Sequence, residues 1–401
     1  MRIADDHILF KECVPIFRVG GERTPTRYAD DDEMRAATLD KGVFVLTDFN
    51  LTKAIDFGDF KVLESKEIRM AGPYCAFISE IIPPARIRHK REANLFAIAF
   101  SAVLSFATSR PVKPLRNLMY SNDESKFHVL AQNFSVVVAG PGAHVYNLSD
   151  DEINLFAEKT ASLIELLVTV PYDKYQDLMQ AIRLVQLSLL TRRDDFSLSY
   201  YLLISAIESI AQIAVKRDKV KKKDSKEKTN VWEELAKNNP DIEELYSLYK
   251  DARGKNHYIT ERFVKFIIDN CPHSFWEQLP HPREKEEALM REIWGDSFAE
   301  DFTLRSPLDV HPSELNEELV HEILANMYDF RSAYTHRGTE TPHTDPIGMY
   351  HSFEWHTVPG EIDPDSGRQQ AKVMLLPNYR LVNFIAVTCI FGYARKLAGK
   401  K

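Results

Sequence analysis

Between Asp194-Asp195 and a lysine-rich run lies Phe196 to Val215, twenty residues in which Glu208 is the one charged side chain. As a helix this segment has no polar face to give to water, so it must sit centrally, with other elements packed around it. The flanking sequence supplies candidates for that packing. Ser149-Asp150-Asp151-Glu152 reads as a helix cap, followed by Ile153, Phe156, Ala157, Ala161, Ile164 and Leu167 at helical spacings, with Pro171 as the stop. Tyr172 to Leu190 places Leu178, Ile182, Val185 and Leu189 on one face, and Asp194-Asp195 caps the apolar helix itself. Further along, Ser313 is expected to cap a long amphipathic helix carrying Leu315, Leu319, Val320, Ile323, Leu324, Met327, Phe330 and Tyr334. Gly338 supplies its stop, so it should end at or near His336. A polar, Pro-rich loop is expected over 339–376, and Asn378 to Leu397 reads as a closing apolar helix.

The first 150 or so residues have a different texture. Gly42 to Leu46, Tyr74 to Ile78 and Ser135 to Val138 are strand-length runs of β-branched or aromatic residues bounded by turn formers, and Arg91 to Thr108 reads as a core helix. The expected fold class is therefore α+β: an N-terminal mixed α/β domain over 1–168, with a sensing or positioning role, then an all-α domain over 169–401. A length of 401 residues fits two domains. Three short helical candidates, Val231 to Lys237, Asp241 to Lys250 and Thr260 to Asp269, fall in a stretch read as an insertion at about 216–312.

A formal charge of −8 argues against a surface that coats nucleic acid or an anionic membrane throughout, so any such contact must be local. The local exception is Lys216 to Lys228, with eight basic and three acidic residues. Cys13, Cys75, Cys271 and Cys389 are scattered without a C-x-x-C pair, which fits a reducing compartment and suggests neither a disulfide framework nor a cysteine zinc site. His343, His351 and His356 match no zinc spacing, and no metal or cofactor is expected. The start of the chain turns acidic at Asp5-Asp6 and lacks the apolar core of a signal peptide. Leu95 to Ala107 is shorter than the roughly 20 residues that a bilayer span needs. A cytoplasmic protein with no membrane partner is the expectation.

Glycine-rich phosphate loops, nucleophile elbows and paired metal motifs do not occur in the N-terminal region. The chemistry concentrates instead at the tail of the long helix, Asp329-Phe330-Arg331-Ser332-Ala333-Tyr334-Thr335-His336-Arg337-Gly338. Here Arg331 and His336 are expected to approach each other as the last turn unwinds. A neutral imidazole removes the proton of a ribose 2′-hydroxyl, or as imidazolium protonates a leaving 5′-oxygen, while a guanidinium stabilises the phosphorane. The bare spacing is unspecific, because Arg2/His7, Arg305/His311 and Arg337/His343 share it or nearly so. What sets Arg331/His336 apart is the helix end on which it lies, preceded by two apolar helices and followed by another.

Met179 to Arg183, Leu202 to Ile210 and Tyr328 to Gly338 together resemble the successive core helices of HEPN domains, in particular the ApeA-like group. The resemblance covers roughly residues 172–397 with an insertion. It implies a bundle of four or five helices that dimerises and acts as a metal-independent endoribonuclease in toxin–antitoxin or antiphage systems. It further implies RNA, tRNA among the candidates, as substrate, and an antitoxin or a phage-derived trigger as partner. Arg331 and His336 take the motif positions. Ser332 stands where many active members carry Asn or Asp, and Glu208 matches an acidic position that orients the Arg or His. Lys216, Arg217, Lys219, Lys221, Lys222, Lys223 and Arg337 are the candidate RNA contacts. Each has a plainer alternative: helix-end cations near terminal carbonyls for Arg331 and His336, a structural ion pair for Glu208, a solvated loop for the lysines. The competing function is a catalytically inert HEPN-like module for dimerisation or ligand binding.

Overall fold

A computed structural model describes residues 6–18, 43–71, 74–87, 90–114, 127–137, 148–220, 225–256, 258–280, 295, 315–338, 352–362 and 369–399. The protein is α+β, with an antiparallel sheet in the N-terminal region and a helical C-terminal region. It divides into two compact units, Met1–Leu202 with Ala394–Lys401, and Leu203–Tyr393.

In the first unit, α1 (Asp6–Phe17) precedes the strands β1 (Val43–Thr47), β2 (Ile55–Asp56), β3 (Lys61–Val62), β4 (Lys66–Arg69) and β5 (Tyr74–Ile82). Then come α2 (Lys90–Thr108), β6 (Val112–Pro114), α3 (Phe127–Ala131) and β7 (Val136–Val137). The sheet runs β2-β3-β5-β1-β6, with β4 and β7 also paired to β5. Every residue of β1 is buried, as its unbroken apolar run requires of a strand covered on both faces. Phe44, Leu46, Ala76 and Ile78 pack on α3, and their alternate neighbours point to the opposite face, where α2 meets β1. Rings of Phe17, Phe60, Phe96 and Phe100 interlock around α2, with Phe60 5.0 Å from both Phe96 and Phe100.

Two further helices pack against α2: α4 (Asp150–Thr169), opened by the expected Ser149/Glu152 capping box, and α5 (Tyr172–Thr191). Gln186 ties α5 down, donating to Ser101 Oγ at 3.0 Å and to the Val112 carbonyl at 2.7 Å, while its own carbonyl accepts from Arg183. A fully buried amide with these bonds satisfied makes α5 part of the first unit's core. The division therefore falls after Leu202, whereas the sequence reading placed it at 168/169.

The apolar segment forms α6 (Phe196–Ala214), whose first turn is capped by Asp195 Oδ1 accepting from the Leu198 N–H at 2.8 Å. The second unit continues with α7 (Ser225–Asn238), α8 (Pro240–Asn256), α9 (Ile259–Asn270) and α10 (Glu317–Arg337), then the strands β8 (Phe353–Ile362) and β9 (Gln369–Pro377) and the helix α11 (Tyr379–Ala398). Helix α9 lies within the stretch read as an insertion, yet Phe263, Val264, Phe266 and Ile267 are core residues packed on α10. The cap of α10 is Asn316, whose side chain accepts from the Leu319 N–H; Ser313, the expected cap, lies outside the described residues. α6 and α11 have the length and composition of membrane spans, and in each 44% of the apolar window is buried inside the protein. The four cysteines are free and buried.

The expected polar loop over 339–376 is corrected: β8 and β9 form an antiparallel hairpin, so the C-terminal region is not all-α. Phe353-Glu354-Trp355-His356-Thr357-Val358 and Val373-Met374-Leu375-Leu376 are strand formers, and Pro359 stands where the register shifts, a position a strand tolerates. His356 is buried, with Nε2 3.7 Å from Glu354 Oε2. Burial pushes its pKa below the ordinary histidine value, and Glu354 only partly offsets this. A depressed folded-state pKa means the unfolded chain binds the proton first, so this contribution to stability is present above about pH 6.5 and is lost as the pH falls through the folded value. Denaturant titrations across mildly acidic pH should show a shallower loss of stability for His356→Gln than for the wild type. An unchanged slope would assign the acid sensitivity elsewhere.

Candidate functional site

Helix α10 buries Val320, Ile323, Leu324 and Met327, a stripe that fixes the helix's rotation and so the direction of everything near its C-terminal end. Tyr328 continues the buried surface, its ring 5.3 Å from that of Phe263 on α9. Its hydroxyl donates to Glu208 Oε1 at 3.1 Å. One helical turn on, Arg331 Nη2 lies 2.8 Å from the other carboxylate oxygen, Oε2. Glu208, the single charge of the apolar helix, is thus held from both sides by α10. The side chains of Arg331 and Glu208 are 21% and 13% exposed, so the pair is mostly but not wholly withdrawn from water. The guanidinium also lies 5.9 Å from the centre of the Tyr328 ring. Burial and then the adjacent Glu208 charge push the phenol's pKa up, so Tyr328 is a neutral hydrogen-bond donor here.

The structure brings together Arg331 and Glu208 but not Arg331 and His336. The last turn does not unwind as expected: α10 continues to Arg337, and the Gly338 N–H closes it by donating to the Tyr334 carbonyl at 3.0 Å. Gly338 takes up the left-handed conformation at φ 64°, which glycine adopts without a Cβ penalty, so the stop acts after Arg337. Five residues of regular helix separate two side chains by about 140° around the axis and about 7.5 Å along it. His336 and Arg337 are exposed, and Ser332 is partly buried. Lys216, Arg217 and Lys219 are exposed around the short 3₁₀ turn that follows α6. Lys221, Lys222 and Lys223 lie outside the described residues, as do His343 and His351. Among the described residues no group of three or more His, Cys, Asp or Glu side chains has the arrangement of a metal site.

Two residues of this region were missed by sequence reasoning. Tyr328 stands three positions before Arg331 on the same helix face, a spacing that was available as a signal. Arg262 on α9 is buried and donates from Nε to the Val215 carbonyl at 2.8 Å, from Nη1 to Gln212 Oε1 at 2.9 Å, and from Nη2 to the Gln212 carbonyl. It satisfies the C-terminal end of α6, the helix that carries Glu208. Nothing local announces that role.

No family model, curated protein or solved structure matches this chain.

Proposed function

We propose that this chain is a metal-independent endoribonuclease of the HEPN type, working in the cytoplasm in antiphage defence or a toxin–antitoxin system. The observation that supports it is the Glu208 carboxylate, held by Tyr328 and itself holding Arg331 at the surface end of α10. A guanidinium anchored in this way is preorganised for a phosphate, and the exposed imidazole of His336 stands in reach of solvent and substrate. His336 removes the proton of the 2′-hydroxyl, the 2′-oxygen attacks phosphorus, Arg331 stabilises the phosphorane, and the 5′-oxygen leaves with a proton from an imidazolium. Because Arg331 and His336 diverge along one helix, the site needs a second copy, whose His336 meets the first chain's Arg331 in a two-fold arrangement. Lys216, Arg217, Lys219 and Arg337 then contribute phosphate contacts around it. The first unit receives the antitoxin or phage-derived trigger.

The test is incubation of the protein with total RNA and tRNA in EDTA, followed by end analysis. Fragments should carry 2′,3′-cyclic phosphate and 5′-hydroxyl ends. Loss of cleavage on chelation with recovery by one divalent ion would overturn the mechanism. A second reading, the inert module, is favoured by one observation: the Arg331 guanidinium is already engaged by Glu208. Absence of cleavage together with stable dimerisation supports that reading.

A further inference from the structure

Strand β5 sends Tyr74, Ala76 and Ile78 to the face of the sheet that α3 covers, and β4 sends Lys66, Ile68 and Met70 to the same face. The register sets Ile68 opposite Ala76 and Lys66 opposite Ile78, and the Met70 N–H donates to the Tyr74 carbonyl at 2.9 Å. Helix α3 is short. Its Phe127, Leu130 and Ala131 bury Ala76 and Ile78, but the cover stops there, and Tyr74 is 46% exposed. His128 and Gln132, one helical turn apart, stand off the buried side of α3, and Ser135 follows in extended backbone before β7. Met70, Ala71, Tyr74, His128, Gln132 and Ser135 thus line an open cleft of about 450 Å³, within the roughly 300–1,000 Å³ of small-molecule sites.

The lining contains no Asp, Glu, Lys or Arg. Glu67 and Arg69 belong to the opposite face of β4, where they pair with each other at 2.9 Å, and Lys66 lies over the Phe127 ring, four strand residues or about 13 Å along from Met70. The walls therefore select for an uncharged group. They offer one half-exposed aromatic ring, an imidazole, and an amide and a hydroxyl that both donate and accept hydrogen bonds. A flat ring system with a polar edge uses all of these, its face covering Tyr74 and its edge meeting Gln132. The Gln132 amide sets a donor beside an acceptor, the complement of the N7 and N6 amino group of adenine. Guanine presents two acceptors, N7 and O6, which call for Arg or Lys, and the lining has neither. A saturated sugar has no π-face to lay on the ring.

We propose that this cleft of the first unit binds the adenine ring of a free nucleoside, stacked on Tyr74 and read along its amino edge by Gln132. Met70 supplies an apolar wall whose flexible thioether adapts to the ring, and the Ser135 hydroxyl serves the remaining polar atoms. The ribose leaves through the open side. This gives the first unit a small-molecule ligand, and it does not rest on the reading that the chain cleaves RNA.

The test is isothermal titration of the full chain with adenosine, guanosine and ribose, with circular dichroism as the check on folding. Adenosine should bind saturably at one site per chain, and guanosine and ribose at least about tenfold more weakly. Tyr74→Ala should weaken adenosine about tenfold or more, the usual cost of losing a stacking ring, while Tyr74→Phe keeps the ring and the affinity. Gln132→Ala should cost about tenfold and remove the preference for adenosine over guanosine. Absence of saturation at millimolar adenosine, equal binding of guanosine or ribose, or an affinity unmoved by both Tyr74→Ala and Gln132→Ala would overturn the proposal. The same is true if a single-stranded deoxyadenylate oligomer binds at least about tenfold more tightly than adenosine and loses that advantage in Tyr74→Ala, which would give the cleft to nucleic acid.

Discussion

His336→Ala should lower RNA cleavage by about 10²-fold or more, the usual cost of removing a general acid or base, with little change in thermal stability because the side chain is exposed. Arg331→Ala should lower cleavage by a similar factor and also cost stability, about 2 kcal/mol, because it strips a mostly buried carboxylate of its ion pair. Glu208→Gln separates the two effects. The amide still accepts from Tyr328 but no longer holds the guanidinium by charge, so cleavage should fall through loss of positioning more than stability falls. Arg331→Lys should rescue little, since an ammonium lacks the planar fork that spans carboxylate and phosphate. The measurement is single-turnover cleavage beside thermal denaturation for the four variants. Full activity in His336→Ala would remove the residue from the mechanism.

Arg262→Ala should be among the most destabilising single changes in the second unit, costing about 3 kcal/mol or more. The substitution removes three hydrogen bonds at the end of α6, two of them to the carbonyls of Gln212 and Val215, which then lack that donor at a buried helix terminus. It also removes a cation from the end of the helix where the backbone dipole favours one. Burial and the nearby Arg217 charge hold the guanidinium's pKa below its usual value. Arg262→Lys should recover only part of the loss, because an ammonium reaches one or two of the three acceptors. Denaturant unfolding followed by the tryptophan signal checks this, and a change within about 0.5 kcal/mol for Arg262→Ala would show that water replaces the side chain at no cost.

How much of this was legible before the structure depends on the distance over which each feature is made. Ser149 with Glu152, Asp195 ahead of α6 and Gly338 behind α10 act through bonds to residues two to four positions away, and all three read correctly. The buried stripes of α5 and α10 follow from helical period and were equally readable. The β8–β9 hairpin was hidden because Pro359 and Gly360 dominate a local reading, while the pairing of Phe353 with Pro377 joins residues 24 positions apart. The unwinding expected between Arg331 and His336 failed for a local reason, since Gly338 accommodates the stop without disturbing the turn before it.

The sequence by itself determined that α6 is buried, that α10 ends at Gly338, and that Arg331 and His336 share that end. Tertiary structure alone decided that Glu208 meets Tyr328 and Arg331 more than a hundred residues away, and that Arg262 closes the end of α6. Periodicity and caps are set by backbone geometry within a turn. The partner of a buried charge is set by how two helices are rotated where they cross, which depends on the packing of every side chain between them.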